Sequence, residues 1–283
     1  MQIKYFDAHC HIQFDQFNED QEELIERMRV EGVAGVVVGV DLASSKEATE
    51  LATEHEHLYA SIGLHPNRVN DERYDISSYR ALARHPKVVA IGECGLDYFR
   101  LPSVALAKEG TDESKAYSAE ATKAAQKEVL QQHIALAAEL DKPLIIHSRP
   151  TKGTQDAYQD LIGILKEAKA QYPNLRGDIH FFVGGIAEAE ALIALGFTIS
   201  FTAVITFARD YDEVIKSVSL TSILSETDSP YVPPTNRTRG SRNDPLAVVD
   251  VVAKIASIRG EPLEPVRATL VTNAERLFRL ENV

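Results

Sequence analysis

The feature that most constrains this chain is an alternation running its whole length. Short apolar, β-branched runs recur about eight times, each followed by a stretch with helical spacing. The runs are Ile3–His11, Gly32–Val40, Leu58–His65, Val88–Cys94, Pro143–His147, Asp178–Phe182, Phe197–Phe201 and Ser222–Glu226. GVAGVVVGV at 32–40 is apolar throughout, as a parallel strand covered on both faces must be. Leu24, Ile25 and Met28 predict an amphipathic helix over Asn18–Val30, similar stretches follow the other runs, and two helices close the chain near 245–257 and 263–280. Such repetition predicts an α/β protein, specifically a (β/α)8 TIM barrel. A length of 283 residues with no linker-like tract suits one barrel, so residues 1–283 are expected to form a single domain.

Net charge narrows the partners. At -12 the surface as a whole repels nucleic acid, so a phosphate-bearing substrate needs a local patch or bound cations. Cys10 and Cys94 are the only cysteines, too few for a disulfide framework, and no apolar run approaches the ~18 residues of a membrane span. A cytoplasmic protein with no membrane association and no obligate protein partner is expected.

In a barrel, chemistry gathers at the C-terminal ends of the strands. In Asp7-Ala8-His9-Cys10-His11, strand alternation points both imidazoles the same way, with Asp7 available to fix a ring tautomer. Glu93 ends the fourth run, His147 the fifth, His180 lies in the sixth, and Asp228 follows the eighth. Four histidines and two carboxylates exceed what one catalytic metal takes from protein, whereas two divalent ions sharing a carboxylate would use all six. His65 ends the third run and is expected to contact substrate. His55, His57, His85 and His133 fall on predicted helices and are assigned packing or exposed roles. Cys10 and Cys94 are expected to pack as small apolar side chains.

Taken together, Asp7-x-His9-x-His11, Gly63-x-His65-Pro66, Gly92-Glu93-x-Gly95-Leu96-Asp97-Tyr98, Ile146-His147-x-Arg149, His180-x-Phe182-x-Gly184, Glu226-Thr227-Asp228-Ser229-Pro230-Tyr231 and Arg239-Gly240-x-x-Asn243-x-Pro245 form an ordered set. The set resembles the TatD-type metal-dependent deoxyribonucleases of the amidohydrolase superfamily, from Phe6 to about Phe278. The resemblance implies that His9, His11 and Asp228 hold one divalent ion, that His147 and His180 hold a second, and that Glu93 bridges. It makes Asp228 the general base and Glu93 its catalytic companion. It further implies magnesium, manganese or zinc as the two ions. The implied substrate is single-stranded DNA, or another phosphodiester, trimmed from the 3′ end.

Two features depart from the family pattern. The polar stretch between Tyr98 and Gln126 is long, which suggests a lid or substrate wall beside Glu93, and Arg149 is followed by Pro150 where an acidic residue is expected. Arg149 is assigned to substrate, as is Arg239, which shares its loop with Arg237 and Arg242; loops after the last barrel strands often bind phosphate. The alternative function is an amidohydrolase-type deacylase or esterase acting on a C–N or ester bond. Relatives of that kind often bridge their metals with a modified lysine on strand four, where this chain has Glu93.

Overall fold

The computed structural model describes residues 1–101, 118–238 and 240–280. Eight parallel strands pair in chain order: β1 (Tyr5–Cys10), β2 (Val33–Val38), β3 (Leu58–Ile62), β4 (Val88–Asp97), β5 (Leu144–Arg149), β6 (Gly177–His180), β7 (Phe197–Phe201) and β8 (Ile223–Ser225). The helices between them are α1 (Gln21–Glu31), α2 (Leu42–Glu54), α3 (Ile76–Leu82), α4 (Ala119–Leu140), α5 (Asp156–Gln171), α6 (Ile186–Ala194) and α7 (Asp212–Ser217), with α8 (Val248–Arg259) and α9 (Leu263–Phe278) after β8. This is the expected (β/α)8 barrel. Its two edges meet where the chain leaves β1 and β8: Asp228 N–H donates to the His9 carbonyl at 2.9 Å and His11 N–H to the Ser229 carbonyl at 2.8 Å.

All six residues of β2 are buried, because one face meets the helices and the other the barrel interior. Leu24, Ile25 and Met28 of α1 pack with Val33 and Val37, while Phe6, Ala8, Val36 and Ile145 join Val271, Leu277 and Phe278 of α9 in a second cluster. Glycine lets β4 lie close against β5. Gly95 adopts φ +140, and a Cβ there would overlap the backbone carbonyl oxygen of His147. That approach brings Glu93 within reach of β5.

Several boundaries differ from the sequence expectation. β4 runs on to Asp97, and α4 begins at Ala119, capped by Ser118, whose Oγ accepts from Ala121 N–H at 3.1 Å. α2 and α3 stop at Glu54 and Leu82, so His55, His57 and His85 lie beyond helix ends rather than on them. A register shift between Asp7 and Cys10 also breaks strict alternation, which separates Cys10 from Phe6 and Ala8. Much of the expected wall lies at 102–117, outside the described residues.

Candidate metal centre

Six side chains from the ends of five strands, β1, β4, β5, β6 and β8, meet at the C-terminal mouth. His9 Nε2 lies 3.1 Å from His11 Nε2, 3.5 Å from Glu93 Oε2 and 3.8 Å from Asp228 Oδ1. His11 Nε2 stands 3.9 and 3.4 Å from the same two oxygens. Four donors placed tetrahedrally about 2.1 Å from an ion would stand about 3.4 Å apart, so this spacing suits a divalent cation. The other oxygen of Glu93 faces a second group. Oε1 lies 2.9 Å from His180 Nε2 and 3.1 Å from His147 Nδ1, and these two nitrogens are 3.2 Å apart. One buried carboxylate thus turns each oxygen to a different pair of imidazoles. The donor set fits divalent ions, because buried polar atoms at these separations are costly unless coordinated or protonated.

His65 Nε2 is 3.3 Å from Glu93 Oε1, close enough to be counted with the ligands. Its hydrogen bonding argues otherwise. His65 Nδ1 accepts from Asn67 N–H at 3.0 Å, so in the neutral ring Nε2 carries the proton and presents a donor rather than a lone pair.

What stands behind each ring sets its orientation. His11 Nδ1 donates to the Val38 carbonyl at 2.7 Å, leaving Nε2 free to ligate. His147 Nε2 faces Asp97 Oδ2 at 3.3 Å, and His180 Nδ1 is 3.6 Å from Glu226 Oε1. Asp97 also accepts from Asn67 Nδ2 at 2.9 Å and from the backbone N–H groups of Phe99 and Arg100 at 3.0 and 3.1 Å. Asp7 does not serve a ring. Its carboxylate instead accepts from the N–H of Thr227 at 2.9 Å and its hydroxyl at 2.6 Å, anchoring the turn that carries Asp228. Asp228 itself adopts φ +52 and Phe181 φ +47, two left-handed non-glycine positions beside the site; Phe181 N–H donates to Glu226 Oε1 at 2.6 Å.

Ionisation follows these contacts. Burial alone would raise the Glu93 carboxyl, but His65, His180 and His147 outweigh it and hold it well below the usual range. Asp228 shows the same balance: burial opposes the charge, and His11, His180 and His9 restore it, so the carboxylate stays ionised. Burial lowers His9. Burial would lower His180 too, but Glu93 and Glu226 raise it well above the ordinary value.

A family model described as TatD-related DNase matches residues 6–279. The chain belongs to the TatD-related DNase family. The metal-dependent hydrolase YabD of Bacillus subtilis, uncharacterized, is 37% identical over 279 residues, spanning 97% of this chain and 99% of that protein. The 3′-5′ ssDNA/RNA exonuclease TatD of Erwinia amylovora is 30% identical, spanning 97% of this chain and 100% of its own length. Among solved structures, the TatD homologue YJJV of Escherichia coli superposes with a TM-score of 0.83 at 28% identity, covering 99% of each chain.

In this TatD-family chain the donors open into a cavity of about 840 Å³. His65 and Arg149 line it, whereas Arg239 lies outside the described residues. The other arginines of its loop do not bear out the expected phosphate patch. Arg237 pairs with Asp244 at 2.7 and 3.0 Å, and Arg242 pairs with Asp20 at 2.7 and 2.5 Å while covering the Phe17 ring at 4.4 Å. Arg237 thus closes the loop on itself, and Arg242 ties it to the body of the protein. The cavity instead receives Arg68 and Arg100, neither of which any sequence motif marks out. Asp97 and Glu226 also went unassigned, although strand alternation puts Glu93, Gly95 and Asp97 on one face of β4.

Proposed function

We propose that this metal-dependent hydrolase is a two-ion phosphodiesterase that removes nucleotides from the 3′ end of single-stranded DNA. The observation that carries the reading is the division of Glu93, with Oε2 towards His9 and His11 and Oε1 towards His147 and His180. His9, His11 and Asp228 would hold one ion, His147 and His180 the second, and Glu93 both. When bound, such ions stabilise the attacking and leaving oxygens and acidify water.

The chain's own residues do the rest. Asp228, kept ionised, accepts a proton as the water oxygen bonds to phosphorus and the bond from phosphorus to the upstream O3′ breaks. The freed alkoxide takes up a proton from solvent. His65 Nε2–H points at the same place and can donate to a phosphate oxygen. Arg149, lying over the Phe99 ring at 4.0 Å, offers a fixed cation on the cavity wall. The named activity of the Erwinia amylovora relative supports this choice of substrate. No helix among the described residues is long and apolar enough to cross a membrane, and the free thiols of Cys10 and Cys94 suit a reducing cytoplasm.

The test is digestion of 5′-labelled single-stranded DNA with magnesium or manganese. The expected result is a ladder shortening from the 3′ end, slowed by about 10²–10⁴-fold in Asp228→Asn, the usual range for a lost general base. Intact DNA in the presence of bound metal would reject the nuclease.

A further inference from the structure

The cavity above the donors has two unlike halves. Around the ends of β3, β4 and β5 it presents Arg68, Arg100 and Arg149 against one exposed carboxylate, Asp71. Around the ends of β6, β7 and β8 it presents Val183, Val204, Tyr231 and Val232. Among the described residues the only charged or readily protonated side chains lining that second half are Asp228 and His180, and both belong to the donor cluster. The strand order sets these halves across the barrel from one another. Tyr231 is 49% exposed and stands edge-on to His11, with ring centres 6.3 Å apart. Arg68 reaches the Asp41 carboxylate at 3.8 Å, whereas neither Arg100 nor Arg149 has a carboxylate partner among the described residues. On a protein of net charge -12, unpaired arginines gathered on one side of a cavity attract anions selectively.

A single strand threaded over such a mouth is sorted by its own chemistry. Every base has an apolar face that stacks on aromatic rings, while the continuing backbone carries a charge at each phosphate. With the scissile phosphate at the Glu93 donors, the departing nucleotide has no further phosphate beyond it, whereas the upstream strand has many. We propose that the mouth fixes strand direction: the 3′-terminal base stacks against the Tyr231 wall, and the upstream phosphates run onto Arg68, Arg100 and Arg149. This rests on the nuclease reading above and adds to it which side of the barrel holds which end of the substrate.

The test compares two 5′-labelled oligonucleotides that differ only at the 3′-terminal nucleotide, one with a base and one abasic. The first cut is followed with the manganese-loaded enzyme across a salt series. Wild type is expected to cut the base-bearing end about 5- to 150-fold faster, the range that stacking of one base supplies. Tyr231→Ala should bring that ratio near one by slowing only the base-bearing end, and Tyr231→Phe should keep it. Arg149→Gln should slow both substrates alike, preserve the ratio, and flatten the salt dependence by about 0.7 for each phosphate left without its cation. Equal cutting of both ends by wild type overturns the proposal. So does a ratio that responds to Arg149→Gln and not to Tyr231→Ala. No cutting of either oligonucleotide by wild type would sink the nuclease reading itself, and this assignment with it.

Discussion

The imidazole pairs on either side of Glu93 are held from behind in different ways. On the β1 side the support is backbone: His11 rests on the Val38 carbonyl, and Asp228 is fixed by its N–H on the His9 carbonyl. On the β5–β6 side it is charge, with Asp97 behind His147 and Glu226 beside His180. A carbonyl fixes a tautomer, whereas a carboxylate also makes the imidazole more basic. The ionisation pattern follows. Burial lowers His9, but for His147 the same burial is outweighed by Asp97 and Glu93, which raise it. His9 therefore gives up a proton more readily than an ordinary imidazole, and His147 less readily.

The largest test of this contrast removes what the halves share. Glu93→Ala should weaken both ions together and cut phosphodiester hydrolysis by about a thousandfold, the upper range for one positioned electrostatic group. Metal analysis after dialysis checks this, and loss of only one ion would mean that the carboxylate does not join the halves.

His133 shows what burial does without a carboxylate. Its Nδ1 donates to the Val129 carbonyl at 2.8 Å, its Nε2 accepts from Leu64 N–H at 3.0 Å, and burial pushes it from 6.5 down to about 4. The unfolded chain therefore takes up this proton before the folded one does. Stability is complete above pH 6.5 and falls by about 3 kcal/mol as pH drops to 4. Urea unfolding of wild type and His133→Gln across that range should differ by that slope; parallel curves would show that burial alone does not depress an imidazole here.

The smallest effect sharpens the contrast most. Asp97→Asn should weaken one ion by about 10- to 100-fold, as loss of a carboxylate behind a ligating histidine usually does, and leave the other unchanged. Calorimetric titration at two pH values would detect it. The weakened ion should also release fewer protons on binding, because His147 loses the charge that raises it.

The barrel was legible because each strand is a short apolar run bounded by helical spacing, and β7 (Phe197–Phe201) matches its expected ends residue for residue. That His9, His11, His65, Glu93, His147, His180 and Asp228 meet at one mouth was legible for the same reason, since strand ends converge in this fold. Arg242 misled because a sequence displays charges but hides their partners: Asp20 is 222 residues away, whereas the partner of Arg237, Asp244, lies only seven residues on. Asp7 misled because its carboxylate is taken up by the N–H and hydroxyl of Thr227, 220 residues away, a partner that the sequence does not display. Asp97 was hidden by an early end given to β4, although its place two residues past Gly95 was a usable signal.

The seam that closes the barrel has a consequence for biosynthesis. The bonds joining the turn after β8 to β1 span 220 residues, and they are the bonds that bring Asp228 to His9 and His11. Contacts so distant along the chain form late, after a large loss of chain entropy. A nascent chain still on the ribosome carries His9 and His11 almost from the start, yet Asp228 reaches them only once the region after β8 has emerged and docked, so the cluster is the last part of the barrel to be assembled.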